Sequence, residues 1–251
     1  MKHALAPVAL AASLALAAPA GALDVTAMTD AERAAFREEV RAYLLDNPEV
    51  IMEAVARLED QQAAAEAEAD TRMIAVNAEA IFDDGYSWVG GNPEGDVTLV
   101  EFIDYRCGYC RRAHEDVMDL VESDGDIRLV MKEFPILGPD SMASSRFAVA
   151  VKQVEGDAAY EQVMNAMITL EGEVTDTVLR RLAGTLGLDA DAVLERMDSE
   201  EVTEVLADTR ALAQRLGING TPTFVMDDRM LRGYAPLPQM REIVADVRAQ
   251  R

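Results

Sequence analysis

Basic side chains are scarce in this chain of 251 residues: 23 lysines and arginines stand against 46 aspartates and glutamates, a formal net charge of −23. A surface with that balance repels phosphate backbones and anionic headgroups, which argues against nucleic acid as a partner. Aromatic residues are few, at 5%, although hydrophobic residues reach 50%. The apolar mass is therefore alanine, valine, leucine and methionine, a helix-forming mixture that points to a helix-rich globular protein. There are two cysteines, Cys107 and Cys110, whereas a disulfide-stapled fold needs pairs spread along the sequence. Long, strongly apolar runs are missing too. The stretch from Ala4 to Ala18 is alanine-rich and broken by Pro7, and a membrane span needs about 20 strongly apolar residues. It follows Met1-Lys2-His3 and leads to Ala20-Gly21-Ala22, the layout of a secretory signal peptide over residues 1–22, with a membrane anchor as the alternative. Export implies a disulfide-permissive compartment, the periplasm for a bacterial chain.

The length suits one domain of ordinary size with extensions, or two small domains. Residues 23–83 read as a helical extension. Thr29 or Asp30 is placed to cap a first helix, whose Phe36, Val40, Tyr43 and Leu44 share a face. Asn47-Pro48 marks a bend, with Pro48 suited to a helix start. Ile51, Val55 and Leu58 continue the stripe, but from Gln61 to Asp70 only alanines interrupt the polar residues. Such a segment either pairs with copies of itself, the favoured expectation, or lies against the following domain. Asp84-Gly85 and the turn cluster from Gly90 to Gly95 separate it from a domain over 84–251. There Val97–Ile103 reads as a buried strand, Cys107 to about Glu122 as a helix ended by Gly125, and Ile127–Met131 as a second strand. This βαβ unit requires parallel strands. Only helical patterns occupy about 139–217, including a short helix announced by Asp189 and Asp191. Strands resume at Thr223–Met226 and Met230-Leu231, and a last helix carries Met240, Ile243, Val244 and Val247.

Cys107-Gly108-Tyr109-Cys110 sits where a strand gives way to a helix. Two cysteines at that spacing close a disulfide, and a helix N-terminus stabilises the thiolate of the first. Arg106, Arg111 and Arg112 add positive charge nearby in sequence. Zinc is the main alternative for such a motif, but a structural site wants four ligands, and beyond the two thiols the mature chain offers His114 as a soft ligand. Arg111 in place of histidine after Cys110 excludes a c-type haem. Far downstream, Gly220-Thr221-Pro222-Thr223-Phe224 sets a proline just ahead of a strand, where either a cis peptide bond or an ordinary turn proline fits.

Taken together, Cys-Gly-Tyr-Cys, Gly-Thr-Pro-Thr-Phe and the helical insert between them resemble the DsbA-like branch of the thioredoxin superfamily. The resemblance implies an α/β thioredoxin fold with an inserted helical subdomain, preceded by the helical extension. By that resemblance Cys107 is the nucleophile and Cys110 the resolving thiol, neither cofactor nor metal is required, and Thr221 and Pro222 form the loop that meets substrate backbone, with Gly108 and Tyr109 beside it. Glu101, six residues before Cys107, matches the family's buried acid that moves protons at the second cysteine; the alternative is a carboxylate turned to solvent. The oxidising DsbA proteins typically carry Pro-His between the cysteines, whereas this chain has Gly-Tyr, so a strongly oxidising potential is not implied. With the extension, the motif looks closer to the suppressor-of-copper-sensitivity C (ScsC) proteins, some of which oligomerise and isomerise disulfides.

The expected function is thus exported thiol:disulfide exchange with cysteine-containing client proteins, as an oligomeric isomerase or reductase served by a membrane redox partner. The alternatives are a DsbA-type dithiol oxidase, a copper-binding or holdase protein using the CxxC as ligands, and an assembly scaffold built on the helical extension.

Overall fold

A computed structural model describes residues 26–250, so the signal-peptide reading of residues 1–22 lies outside the described part. The chain divides into two compact units, one ending at Asp60 and one beginning at Gln61. In the first, helix α1 (Asp30–Asp46) starts at Thr29: the Thr29 hydroxyl accepts from the Glu32 N–H, and the Glu32 carboxylate accepts from the Thr29 N–H at 2.8 Å. Such a reciprocal box is worth about 1 kcal/mol. After the bend at Asn47-Pro48 the chain enters α2 (Glu49–Val76). No residue of α1 is buried, and Phe36, Val40 and Tyr43 of α1 are as exposed as Ile51, Val55 and Leu58 of α2. The spacing of four then three puts each trio on one face of its helix.

The second unit is built on a five-stranded sheet in the order β1-β3-β2-β4-β5. Strands β2 (Val97–Ile103) and β3 (Ile127–Glu133) run parallel at its centre, joined through α4 (Gly108–Asp124), as the βαβ reading requires. Gly125 ends α4 in the left-handed conformation, φ 74°, which glycine adopts at no steric cost. Strands β4 (Thr223–Met226) and β5 (Arg229–Arg232) add antiparallel on the other side, and α10 (Leu237–Ala249) closes the chain. Between β3 and β4 lie α5 (Pro139–Glu155), α6 (Asp157–Thr169), α7 (Asp176–Leu186), α8 (Ala190–Met197) and α9 (Glu200–Arg215). This is the thioredoxin arrangement with its helical insert, and Asp189 caps α8 by accepting from the Ala192 N–H.

Alternation along the central strands serves two cores. Leu99, Ile103, Leu129 and Met131 face α4 and the insert, while Val100, Phe102 and Val130 face Ile81 of α3 (Ala78–Phe82), Ile74 of α2 and Leu212 of α9. The end of α2 is therefore part of this unit. Asp70 reinforces it by accepting two hydrogen bonds from the Arg232 guanidinium, at 2.6 and 2.8 Å. Of the two expectations for the extension, intramolecular packing holds for the stretch from Asp70 onward, and the apolar stripe, exposed among the described residues, lies upstream.

One strand escapes the sequence pattern. Gly90 and Gly91 read as turn residues, yet they belong to β1 (Trp88–Gly91), which pairs antiparallel with β3 from Trp88 opposite Met131 to Gly91 opposite Arg128. The physical reason is Trp88, whose ring folds back over its own strand: a Cβ at Gly90 would stand 2.0 Å from the ring. Glycine here makes room for an indole rather than for a turn.

Candidate active site

Strand β2 ends at Ile103, and the short link Asp104-Tyr105-Arg106 brings Cys107 to the N-cap of α4. The link is fixed by the buried Asp104 carboxylate, which accepts from the N–H groups of Arg106, Ile136 and Leu137. At the N-cap, unsatisfied first-turn amides face the sulfur, where they stabilise negative charge. Both cysteines are thiols in this structure. Cys107 is 7% exposed, Cys110 is fully buried one turn in, and Tyr109 stands out into solvent at 63% exposure.

The Thr221–Pro222 peptide is cis. The loop that carries it lies against the motif: the Cys107 thiol donates to the Thr221 carbonyl at 3.2 Å, and the Pro222 carbonyl accepts from the Gly233 N–H at 2.9 Å. The carbonyl contact favours the protonated sulfur, but stronger donors oppose it. A hydrogen bond from the Cys110 thiol, then one from the Thr221 side chain and the amides of Cys110 and Tyr109, bring the Cys107 pKa from 9.0 to about 5 against the cost of burial. Cys110 moves the opposite way, far above the ordinary thiol range, because its proton serves Cys107, because it is buried and because Glu101 lies near.

The carboxyl of Glu101 is buried on the α4 side of β2, and neither of its oxygens has a hydrogen-bond partner. Burial, then the charges of Cys107 and Glu133, push its pKa up to about 8. The solvent-facing alternative for Glu101 is thereby excluded. A second buried carboxyl, Glu133 at the end of β3, was not legible as a site residue, because Lys132-Glu133 closes an apolar run like any charged strand end. The available signal was its strand position, two residues beyond the partner of Glu101 in the parallel register. Glu133 Oε1 accepts from Tyr105 Oη at 2.7 Å and from Tyr160 Oη at 2.6 Å, and burial still holds its pKa up at about 7.

The three arginines near the motif do other work than its sequence position suggests. Arg106 donates to the carbonyls of Leu170 and Gly172, and Arg111 to those of Tyr105 and Leu170, so both tie the insert to the link. Arg112 lies over the Tyr234 ring, 4.7 Å from its centroid. The lowered Cys107 pKa comes from hydrogen bonds instead. His114, the third ligand in the metal alternative, pairs through Nε2 with Asn165 Oδ1 at 2.7 Å.

A sulfur of lowered pKa beside a buried thiol of raised pKa, with a buried carboxyl nearby, is an arrangement equipped for thiol–disulfide exchange. Comparison with known proteins agrees. A family described as DSBA-like thioredoxin domain matches residues 98–245, and one described as Copper resistance protein ScsC N-terminal domain matches residues 32–65. Among solved structures, a thioredoxin-like oxidoreductase from Silicibacter pomeroyi DSS-3 is 42% identical with a TM-score of 0.64, covering 68% of this chain and 97% of that one. Proteus mirabilis ScsC in a compact conformation is 25% identical with a TM-score of 0.63, covering 85% and 97%. Among curated proteins, Disulfide bond formation protein D of Bacillus subtilis is 24% identical over 163 residues, 61% of this chain and 73% of the relative. The Na(+)/H(+) antiporter NhaA 1 of Salinispora arenicola is 28% identical over 146 residues, and there the chain spans 22% of the relative's length. The chain belongs to the DSBA-like thioredoxin domain family.

Proposed function

We propose that this chain is an exported, periplasmic oxidoreductase that reshuffles or reduces the disulfides of client proteins, working as a homo-oligomer whose CxxC a membrane redox partner keeps reduced. The observation that carries the reading is the opposed ionisation of the two sulfurs, Cys107 lowered to about 5 and Cys110 raised. At neutral pH Cys107 attacks one sulfur of a client disulfide; the Cys107–client bond forms, and the second client sulfur leaves as a thiolate. When another client thiolate attacks the client sulfur of this mixed disulfide, Cys107 is released as a thiolate and the client is isomerised with no net electron transfer. When Glu101, in the fraction of chains where it is ionised, instead takes the proton of Cys110 and Cys110 attacks Cys107, the Cys107–Cys110 bond closes and the client departs reduced by two electrons. Thr221 and Pro222, beside Cys107, and the adjoining Gly108 and exposed Tyr109 are the surface a client strand meets.

The oligomer part of the proposal rests on the unpartnered trios Phe36-Val40-Tyr43 and Ile51-Val55-Leu58. Several reduced sites facing one misfolded client raise the effective concentration of thiolate. One observation favours the dithiol-oxidase reading: a thiolate held this far down stabilises the reduced state, which makes the disulfide a better oxidant. Two assays on the full-length chain separate the readings. Equilibration with glutathione gives the reduction potential, and reactivation of a scrambled-disulfide substrate gives the isomerase rate. Reactivation by the reduced chain that disappears in Cys107→Ser is expected. A chain that oxidises reduced substrate quickly and reactivates none is a dithiol oxidase.

A further inference from the structure

Glu101 is not the only buried carboxyl beside the motif among the described residues. In the parallel register Glu101 lies opposite Met131, and Glu133 opposite Ile103. With side chains alternating along each strand, both carboxyls project to the α4 side, one step apart on adjacent strands. Both are buried, and both keep unpartnered oxygens: the two of Glu101, and Oε2 of Glu133. The other oxygen of Glu133 is gripped by two phenols whose own ionisation is pushed well above the ordinary tyrosine range, so they serve only as donors. Tyr105 comes from the link that precedes Cys107. Tyr160 comes from α6 of the insert and stacks on Trp88 at 5.6 Å. Glu133 is therefore tied to the helical subdomain as well as to the sheet.

We propose that Glu133 is a positioning residue for the resolving step: held by Tyr105 and Tyr160 one step away on the neighbouring strand, its carboxyl acts through its charge on Glu101 and so decides when Glu101 is free to take the proton of Cys110. The inference rests on the exchange mechanism given above. In the step concerned, the Cys110 proton passes to the Glu101 carboxylate. The Cys110 sulfur then forms the bond to Cys107 while the Cys107–client bond breaks, and the client leaves as a thiolate. For Glu101 to accept, it must first be ionised, and the neighbouring carboxyl sets that: a charged Glu133 holds the proton on Glu101, whereas a protonated Glu133 lets Glu101 ionise. The charged or titratable groups that bear on the pair are Cys107 and Cys110 from α4, Asp104 and Tyr105 from the link, and Tyr160 from α6. Lys132, next in sequence, projects to the opposite face, where its ammonium pairs with Asp84.

The test forms a mixed disulfide between Cys107 and a small aromatic thiol and follows its release, by absorbance, as Cys110 resolves it at a series of pH values. In the full-length wild-type chain the rate rises with pH through an inflection set by the carboxyl pair. Glu133→Gln removes the like charge, so the inflection moves down by about one pH unit, the order expected when a neighbouring buried charge is lost. Glu133→Asp, which keeps a carboxylate, brings it back toward the wild-type position. A role in packing alone changes the rate at every pH and leaves the inflection in place, and that result overturns the proposal. If Glu133→Gln does not fold, carbon-13 resonances of the glutamate carboxyls in the wild-type protein decide instead. Two coupled steps between about pH 6 and 9 support the coupling of the two carboxyls, and two carboxyls that titrate independently overturn it. Failure of the underlying mechanism looks different: release as slow in wild type as in Cys110→Ser at all pH values shows that Cys110 does not resolve the adduct.

Discussion

Cys107 reaches a pKa of about 5 with no histidine in its motif, because the Cys110 thiol, the Thr221 side chain and two backbone amides supply the donors. The Gly-Tyr dipeptide alone suggests a weaker thiolate, since a sequence shows which residues lie between the cysteines and not that the fold sets Thr221, 114 residues away, against Cys107. A stability test follows. The folded thiol is depressed below its unfolded value near 9, so its contribution to the reduced fold is full above pH 9 and lost as pH falls through 5. The stability difference between the reduced wild type and Cys107→Ser should therefore shrink by about 1.4 kcal/mol per pH unit across that window, as measured by urea unfolding. Glu101 has the opposite sign. Its folded pKa is raised from 4.5 to about 8, so its contribution is full below pH 4.5 and is lost as pH rises through 8. Glu101→Gln should accordingly gain stability over wild type with rising pH in that interval, by up to about 1.4 kcal/mol per unit, while its resolving step slows. Glu101 was legible because it interrupts an apolar strand at the family spacing from Cys107; Glu133 was not, because its role is made by tyrosines from two distant segments.

Among the elements, the most legible are those whose periodicity is unbroken: β2, α4, β3 and the insert helices stand where their apolar patterns put them. Strand β1 fails that test because a four-residue strand with two glycines carries almost no pattern, and its identity depends on the Trp88 ring and on pairing with β3. The extension helices are the instructive intermediate case. Their stripe was visible in the sequence, but only the structure shows the trios to be exposed and the end of α2 to be built into the sheet domain through Ile74 and the Asp70–Arg232 pair. If the trios pair with copies of themselves, one charge in the stripe is enough to disrupt assembly, since burying an unpaired carboxylate costs several kcal/mol. Val55→Asp should sediment as a folded monomer, where the wild type sediments as a dimer or trimer. It should keep its reactivity toward a small disulfide and lose most of its isomerase rate. A wild-type chain that sediments as a monomer contradicts this.

At the scale of the whole sheet unit, the thioredoxin core and the insert converge on one short segment. The sheet delivers Glu101 and Glu133 beneath the motif, the link and α4 deliver the two sulfurs, the β4 loop delivers Thr221, and the insert delivers Tyr160. On the proposed function all of them act through the chemistry of a single sulfur, and that dependence is directly measurable. Cys107→Ser and Cys110→Ser are each incubated at neutral pH with a disulfide-bonded client, and covalent adducts are counted by mass spectrometry after a nonreducing gel. The account predicts abundant adducts through Cys107 in Cys110→Ser, where resolution is lost, and very few in Cys107→Ser, whose remaining thiol is buried and protonated. Equal yields from the two variants, or adducts carried chiefly by Cys110, would contradict it.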